Sequence, residues 1–310
     1  MKGLEIAKSF WKEHGEPMIT ERFPEFKGRL AVGLVGAGSE CYGYDDDVSR
    51  DHDFEPGFCI YLPGENVVDR RTEFLLTRAY ESLPKEYMGL RRGLFRPAGG
   101  NRRGVFRTAD VYRSMTGLAG RPEGWRPFLA TPDYAIAEAI NGEVFYDGYG
   151  EFSGIREAWS NPPEDVRRKK LCGYLVTMSQ TGEYNCGRML ARGDEAAAAI
   201  AASEFAKASV SAFGWIHNRP TPYYKWCMRS LSDYPDASEL QRLLRELLIG
   251  GARDSGLVGE ACAEVLRAVK EAFEECRGAE DLQHAAFALN DRVKDGVLRN
   301  MSLLAAVPGI

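Results

Sequence analysis

The residues best placed to do chemistry together are Gly38-Ser39 and, after a spacer of eleven residues, Asp51-His52-Asp53. A strand alternates its side chains. If a strand begins at this second cluster, Asp51 and Asp53 share one face and His52 turns to the other. Two neighbouring carboxylates repel unless a cation or a proton sits between them. Oxygen pairs of this kind suit Mg²⁺, which commonly takes one or two carboxylates plus substrate phosphates. A Gly-Ser turn after an apolar run lets backbone N–H groups and a hydroxyl approach a phosphate. Together these are the parts of metal-assisted phosphoryl or nucleotidyl transfer. Two other readings compete for the same stretch. It could be a solvated polar loop, where Asp and Ser are common. It could be a dinucleotide fingerprint, since Gly36-Ala37-Gly38 begins as G-x-G. That pattern then offers Cys41 where a small residue is needed, and the acids Asp45, Asp46 and Asp47 would face a pyrophosphate.

Cations further along could complete a phosphate site. Arg188 and Arg192 stand four residues apart, on one face of a helix. Guanidinium forks suit phosphate oxygens, but the same pair could be a solvated face salt-bridged to Glu183 or Asp194. Lys225 lies between Tyr224 and Trp226, just after Pro220 and Pro222. It could reach a triphosphate as a point charge while a neighbouring ring stacks on a base. The alternative is an aromatic packing cluster with the lysine extended to water. His217 and His284 have no ligand-type residues at metal spacing and read as structural. The seven cysteines are odd in number and form no C-x-x-C pair, so they read as reduced thiols in a cytoplasmic protein.

The elements that must position these residues follow from the apolar pattern. Helical spacing covers 4–14 and 66–82. Short apolar runs over 29–37, 54–62 and 103–108 predict strands. Gly and Pro punctuate 117–132. After about residue 150 the chain reads as nearly all helix, over 163–190, 193–216, 237–249, 255–276 and 280–305. Asn161-Pro162-Pro163-Glu164 reads as a helix start with Asn161 as the cap. Strands first and helices after predict an α+β fold or two domains, divided as 1–150 and 151–310. With 310 residues, 44% hydrophobic, 27% charged and a net charge of −5, the chain reads as globular. The acidic balance argues against a general nucleic-acid binder. No apolar run is long enough for a membrane span, and the first residues lack the apolar core of a signal peptide.

The motif Gly38-Ser39 with Asp51-His52-Asp53 resembles the signature of the nucleotidyltransferase superfamily, the polymerase-beta-like fold. Residues 33–62 (GLVGAGSECYGYDDDVSRDHDFEPGFCIYL) are similar to an uncharacterised bacterial branch related to kanamycin (aminoglycoside) nucleotidyltransferases. The similarity continues through 142–156, 180–194 and 218–231. This resemblance implies a small mixed-sheet domain followed by a helical-bundle domain, with the active site between the two. It implies that Asp51 and Asp53 hold Mg²⁺ on ATP or another NTP, and that Gly38 and Ser39 bind its phosphates. Lys225, with Arg188 or Arg192, would close over them from the helical half. The implied activity is transfer of a nucleoside monophosphate to a hydroxyl of an acceptor, such as an aminoglycoside-like sugar, another sugar, a protein or tRNA. The sequence departs from the superfamily at one place. The expected third carboxylate is missing from the strand Gly104–Thr108, which leaves Glu143, Asp147 or Glu151 as candidate bases. That departure sustains a second reading, a catalytically inactive nucleotide-binding or antitoxin-like module.

Overall fold

The computed structural model describes residues 1–50, 55–92, 102–250 and 255–307. It is a mixed α/β chain, mostly helical, with a small mixed sheet. It divides into two compact units. The first comprises 1–122 and 138–161, and the second 123–137 and 162–310. Among the described residues, no helix is long and apolar enough to cross a membrane.

In chain order, α1 (Gly3–Phe10) runs through a π-helical turn at Trp11–Gly15 into α2 (Glu16–Arg22). The expected helix 4–14 therefore continues to Arg22. Pro17 lacks an N–H and cannot complete the regular ladder, and the widened turn before it absorbs that defect. At Gly15 a Cβ would stand 2.3 Å from the Phe58 ring, so only glycine allows this packing. The carboxylate of Asp45 accepts from the Gly3 N–H at 2.9 Å and closes the start of α1. Next come β1 (Ala31–Leu34), α3 (Ser39–Tyr42), β2 (Cys59–Leu62) and α4 (Arg70–Glu81). A two-residue hairpin pair follows, β3 (Glu86–Tyr87) and β4 (Leu90–Arg91), then β5 (Gly104–Arg107) and α5 (Thr108–Thr116). After these come α6 (Arg126–Ala130), α7 (Asp133–Ile140), β6 (Glu143–Asp147) and α8 (Glu151–Ser160).

The sheet of the first unit has the order β5-β2-β1-β6. β1 runs antiparallel to β2, with Ala31 opposite Tyr61 and Gly33 opposite Cys59. It is also antiparallel to β6, with a register shift between Val32 and Gly33. β2 and β5 are parallel. Every residue of β1 and β2 is buried, as unbroken apolar runs in central strands should be. Val32, Ile60 and Leu62 pack in one core with Ile6, Phe10, Trp11 and Ile19 from the N-terminal helices and Leu76, Ala79 and Tyr80 from α4.

The second unit is built on α9 (Glu164–Met178), which packs against α11 (Glu195–Ile216) and α15 (Leu282–Asp291). The intervening chain is a π-helical segment at Ser179–Cys186 and α10 (Gly187–Ala191). Beyond α11 lie α12 (Tyr224–Ser230), α13 (Ser238–Ile249) and α14 (Ser255–Ala272), and α16 (Gly296–Asn300) follows α15. Asn161 does not cap α9. The two prolines hold the chain extended before Glu164, so Pro163 takes the cap position. The Asn161 amide instead donates to the Glu157 carbonyl at 2.7 Å and closes α8. The expected single helix 280–305 is interrupted, because Asp165 accepts from the Lys294 and Asp295 N–H groups and Asp295 then caps α16. All seven cysteines are free and buried, packed as small apolar side chains.

Candidate functional site

The Gly38-Ser39 turn leaves the C-terminal end of β1. Gly38 is the extended residue before α3, and Ser39 is the first residue of that four-residue helix. Because β2 is antiparallel to β1, with Cys59 opposite Gly33, residues 55–58 enter the sheet at the end where Gly38-Ser39 leaves it. β5 is parallel to β2 and begins with Gly104 beside Cys59, so Arg103 is at this end as well. Asp51 and Asp53, with His52, lie outside the described residues.

The turn is held from two sides. The Asn141 side chain accepts from the Gly36 N–H at 2.9 Å and donates to the Gly36 carbonyl at 2.7 Å. The Gly142 N–H donates to the Cys41 carbonyl at 2.8 Å. Gly142 has φ of +65°, and a Cβ there would sit 2.0 Å from the Leu34 carbonyl oxygen. The chain can thus cross under the end of β1 only with glycine at this position. On the other side, the Glu40 carboxylate folds back over Gly38 and pairs with Arg103 at 3.1 Å. Arg103 also faces Glu55 at 3.6 Å, and its side chain is only 6% exposed. This Glu40–Arg103–Glu55 network was missed in the sequence. Arg103 reads there as the polar start of a strand, and only the parallel β2–β5 pairing brings it to the turn.

The nearby acids are already engaged. Asp45 caps α1, and Asp46 accepts from both the N–H and the hydroxyl of Ser49. Among the described residues, no three His, Cys, Asp or Glu side chains converge to hold a metal. Asp51 and Asp53 would offer an all-oxygen donor set of the kind that suits Mg²⁺.

The three candidate bases separate by register. Glu143 lies opposite Leu34, at the Gly38 end, and is ion-paired to Lys8. Asp147 lies opposite Ala31, at the far end, where it accepts from the Gly150 and Ser153 N–H groups at 2.6 and 2.8 Å. Glu151 follows it there, its carboxyl raised by burial and by the charge of Asp147. β5 carries no carboxylate, and its Arg107 forks onto Glu73 at 2.6 Å.

In the second unit, Arg188, Arg192 and Lys225 are exposed. Arg188 donates to the Tyr184 hydroxyl at 2.8 Å and stacks over that ring. Lys225 lies over the Trp226 ring. None of the three lines a cavity of this unit that has a volume of about 310 Å³. The cations on its walls are Lys170 and Lys207. Lys170 is 1% exposed and donates to Asp133 Oδ1 at 2.8 Å. The other oxygen of Asp133 accepts from the Tyr174 hydroxyl at 2.7 Å and from Trp215 Nε1 at 2.6 Å. Burial first, then the Asp133 charge, pushes the Tyr174 hydroxyl well above its ordinary range. Tyr134, Tyr223 and Tyr224 rim the opening. The exposed tyrosines of this segment therefore stand beside Lys170 and Lys207 rather than beside Lys225.

A family model described as Domain of unknown function (DUF4037) matches residues 128–227. That span holds every lining residue of the cavity except Val307. No curated protein matches the chain.

Proposed function

We propose that the chain is a Mg²⁺-dependent nucleotidyltransferase. The observation that carries this reading is the register of the small mixed sheet. The Gly38-Ser39 turn leaves β1 at the same end at which the chain following Asp51-His52-Asp53 enters β2. In this reading the Gly38-Ser39 backbone and hydroxyl bind terminal phosphates of an NTP. Asp51 and Asp53 hold Mg²⁺, which supplies neutralisation of the phosphate charge. The acceptor oxygen bonds to the α-phosphorus as the bond to pyrophosphate breaks, and the hydroxyl proton passes to solvent or to a base, Glu143 being the candidate at this end of the sheet. The Glu40–Arg103–Glu55 network is a positioning device that fixes the turn. Arg188, Arg192 and Lys225, exposed on the second unit, are the further candidate phosphate-binding cations of this reading. The test is label transfer from α-labelled ATP to a panel of aminoglycosides, sugars, proteins and tRNA, with Mg²⁺. Transfer by the wild type and its loss in the Asp51→Asn/Asp53→Asn variant are the expected results. Equal transfer by both would overturn the reading.

A second reading is favoured by one specific observation. β5 has no carboxylate, and Glu143, the candidate base at the correct end, is paired with Lys8. A nucleotide-binding module without turnover fits that. Calorimetry would separate the two, because this reading expects Mg-NTP binding with no transfer to any acceptor.

A further inference from the structure

We propose that Arg156 is the cation of the first unit that binds the phosphates of the nucleotide, beside the Gly38-Ser39 turn. The identity of the anion rests on the nucleotidyltransferase reading, and the place of the site rests on the surroundings of Arg156. This residue is on α8 and ends the segment 142–156, which otherwise offers that reading only acids. Its Nη2 donates to the Ile140 and Gly142 carbonyls at 2.6 and 3.1 Å, on either side of Asn141. Asn141 grips Gly36, and the Gly142 N–H is bonded to the Cys41 carbonyl. Gly36 and Cys41 flank Gly38-Ser39, so the guanidinium is anchored on the loop that holds both ends of the turn.

Capping two carbonyls accounts for only part of this side chain. The cap uses one nitrogen, and an uncharged donor would serve it as well. Nε and Nη1 donate to no described residue, and neither is sealed from solvent. The charge is also unanswered. Arg103 and Arg107 of the same unit have carboxylates at 3.1 and 2.6 Å. No described carboxylate is ion-paired with Arg156. Arg92 lacks an acid too, but it spends both terminal nitrogens on three carbonyls and lies over the Phe10 and Tyr80 rings.

The titratable groups that act on Arg156 are the Tyr112 and Tyr61 hydroxyls, the Cys41 thiol and the Glu143 carboxylate. Burial raises the first three above their ordinary values, so they carry no charge at neutral pH. Glu143 is ion-paired to Lys8. Burial also pulls the guanidinium below the ordinary arginine value, yet arginine keeps its charge in proteins. A half-buried positive charge with neutral neighbours and open donors is uncompensated until an anion reaches it. Phosphate oxygens fit that need, because they accept charge-assisted hydrogen bonds from a guanidinium. The adjoining turn is where nucleotidyl transfer requires a triphosphate.

The experiment is an NMR titration of the full chain, labelled with ¹⁵N-arginine, using inorganic triphosphate without Mg²⁺ as the probe. Triphosphate should bind with a Kd on the order of 0.1 mM and shift the Arg156 Nε–H resonance, which is identified by its absence from Arg156→Lys. Arg156→Met should weaken binding about tenfold or more. Arg156→Lys keeps the charge and should bind more tightly than Arg156→Met, a recovery that loss of the carbonyl cap alone would not give. Adenosine should leave the Nε–H resonance in place, and sulfate at matched ionic strength should shift it less. The proposal is overturned if triphosphate does not bind at about 5 mM, if the Nε–H resonance stays fixed at saturation, or if Arg156→Met binds as the wild type does. An equal shift with adenosine or sulfate overturns it as well. Label transfer separates this inference from the reading it rests on. Triphosphate bound through Arg156 with no transfer to any acceptor keeps the site and removes the transferase. Transfer that is unchanged in Arg156→Met keeps the transferase and removes the site.

Discussion

Replacing Lys170 with Met tests whether the second unit is organised around a buried charge pair. The two side chains have similar volume, so packing is nearly conserved and the charge is the variable. Lys170 is 1% exposed and its ammonium is 2.8 Å from an Asp133 carboxylate that is itself 7% exposed. Removing one member of such a pair costs about 3–5 kcal/mol, because the other is left as an uncompensated buried charge. The Asp133 carboxylate would keep two neutral donors, Tyr174 at 2.7 Å and Trp215 at 2.6 Å. These place the cost near the lower limit, about 3 kcal/mol, a factor of roughly a hundred in the folding equilibrium. Urea denaturation followed by tryptophan fluorescence should show the midpoint falling by about 1 M. The companion variant Asp133→Asn/Lys170→Met removes both charges. It should recover much of the loss, giving a coupling energy of about 1 kcal/mol or more between the two sites. If Lys170→Met costs less than about 1 kcal/mol, or if the two losses simply add, the pair does not organise this unit.

Gly142→Ala should destabilise the first unit by about 3 kcal/mol, since a left-handed alanine adds to a Cβ placed 2.0 Å from the Leu34 carbonyl. In calorimetry the melting temperature should drop by about 6–12 °C, and a drop under about 2 °C would contradict the steric argument. Glu275 supplies a pH test. Burial would raise its carboxyl, but its own backbone N–H and the Arg168 guanidinium at 2.9 Å bring it below the ordinary value. A lowered folded value stabilises wherever the unfolded carboxyl is charged, above about pH 4.3. Relative to Glu275→Gln, the wild type should be more stable by about 1.5 kcal/mol at pH 7. That advantage should vanish as the pH falls through the folded value. An advantage that persists at pH 2 would reverse the assignment.

The sequence made the central strands readable because β1 and β2 are buried on both faces and leave unbroken apolar runs. It made α11 and α13 readable because Gly193 and Gly250 bound them. It did not reveal the role of Lys169 and Lys170. Apolar periodicity assigns a cation to the solvent side of a helix, whereas α9 is buried on nearly every face. Lys169 is satisfied by Asn290 at 2.8 Å and by the Met301 carbonyl at 2.7 Å, and burial lowers its ammonium from the ordinary lysine value. Lys170 is satisfied by Asp133, next to a stretch read as loop from its prolines and glycines. The partners lie far away in the chain, and spacing along one helix holds no information about them.

The same distinction runs through the candidate site. The order of strand, Gly-Ser turn and strand is local, so the sequence carries it. The end of the sheet at which an acid stands is not local. Glu143, Asp147 and Glu151 look equivalent as bases in a list of residues. One antiparallel pairing separates them, setting Glu143 against Leu34 and Asp147 against Ala31. By that pairing a base acting near Ser39 has to be Glu143, freed from Lys8, or a residue not on β6. Lys8→Met frees it without touching the turn. If Glu143 is the base, that variant raises transfer, because the carboxylate is no longer held by the Lys8 ammonium. If transfer is unchanged, β6 supplies structure and no proton acceptor.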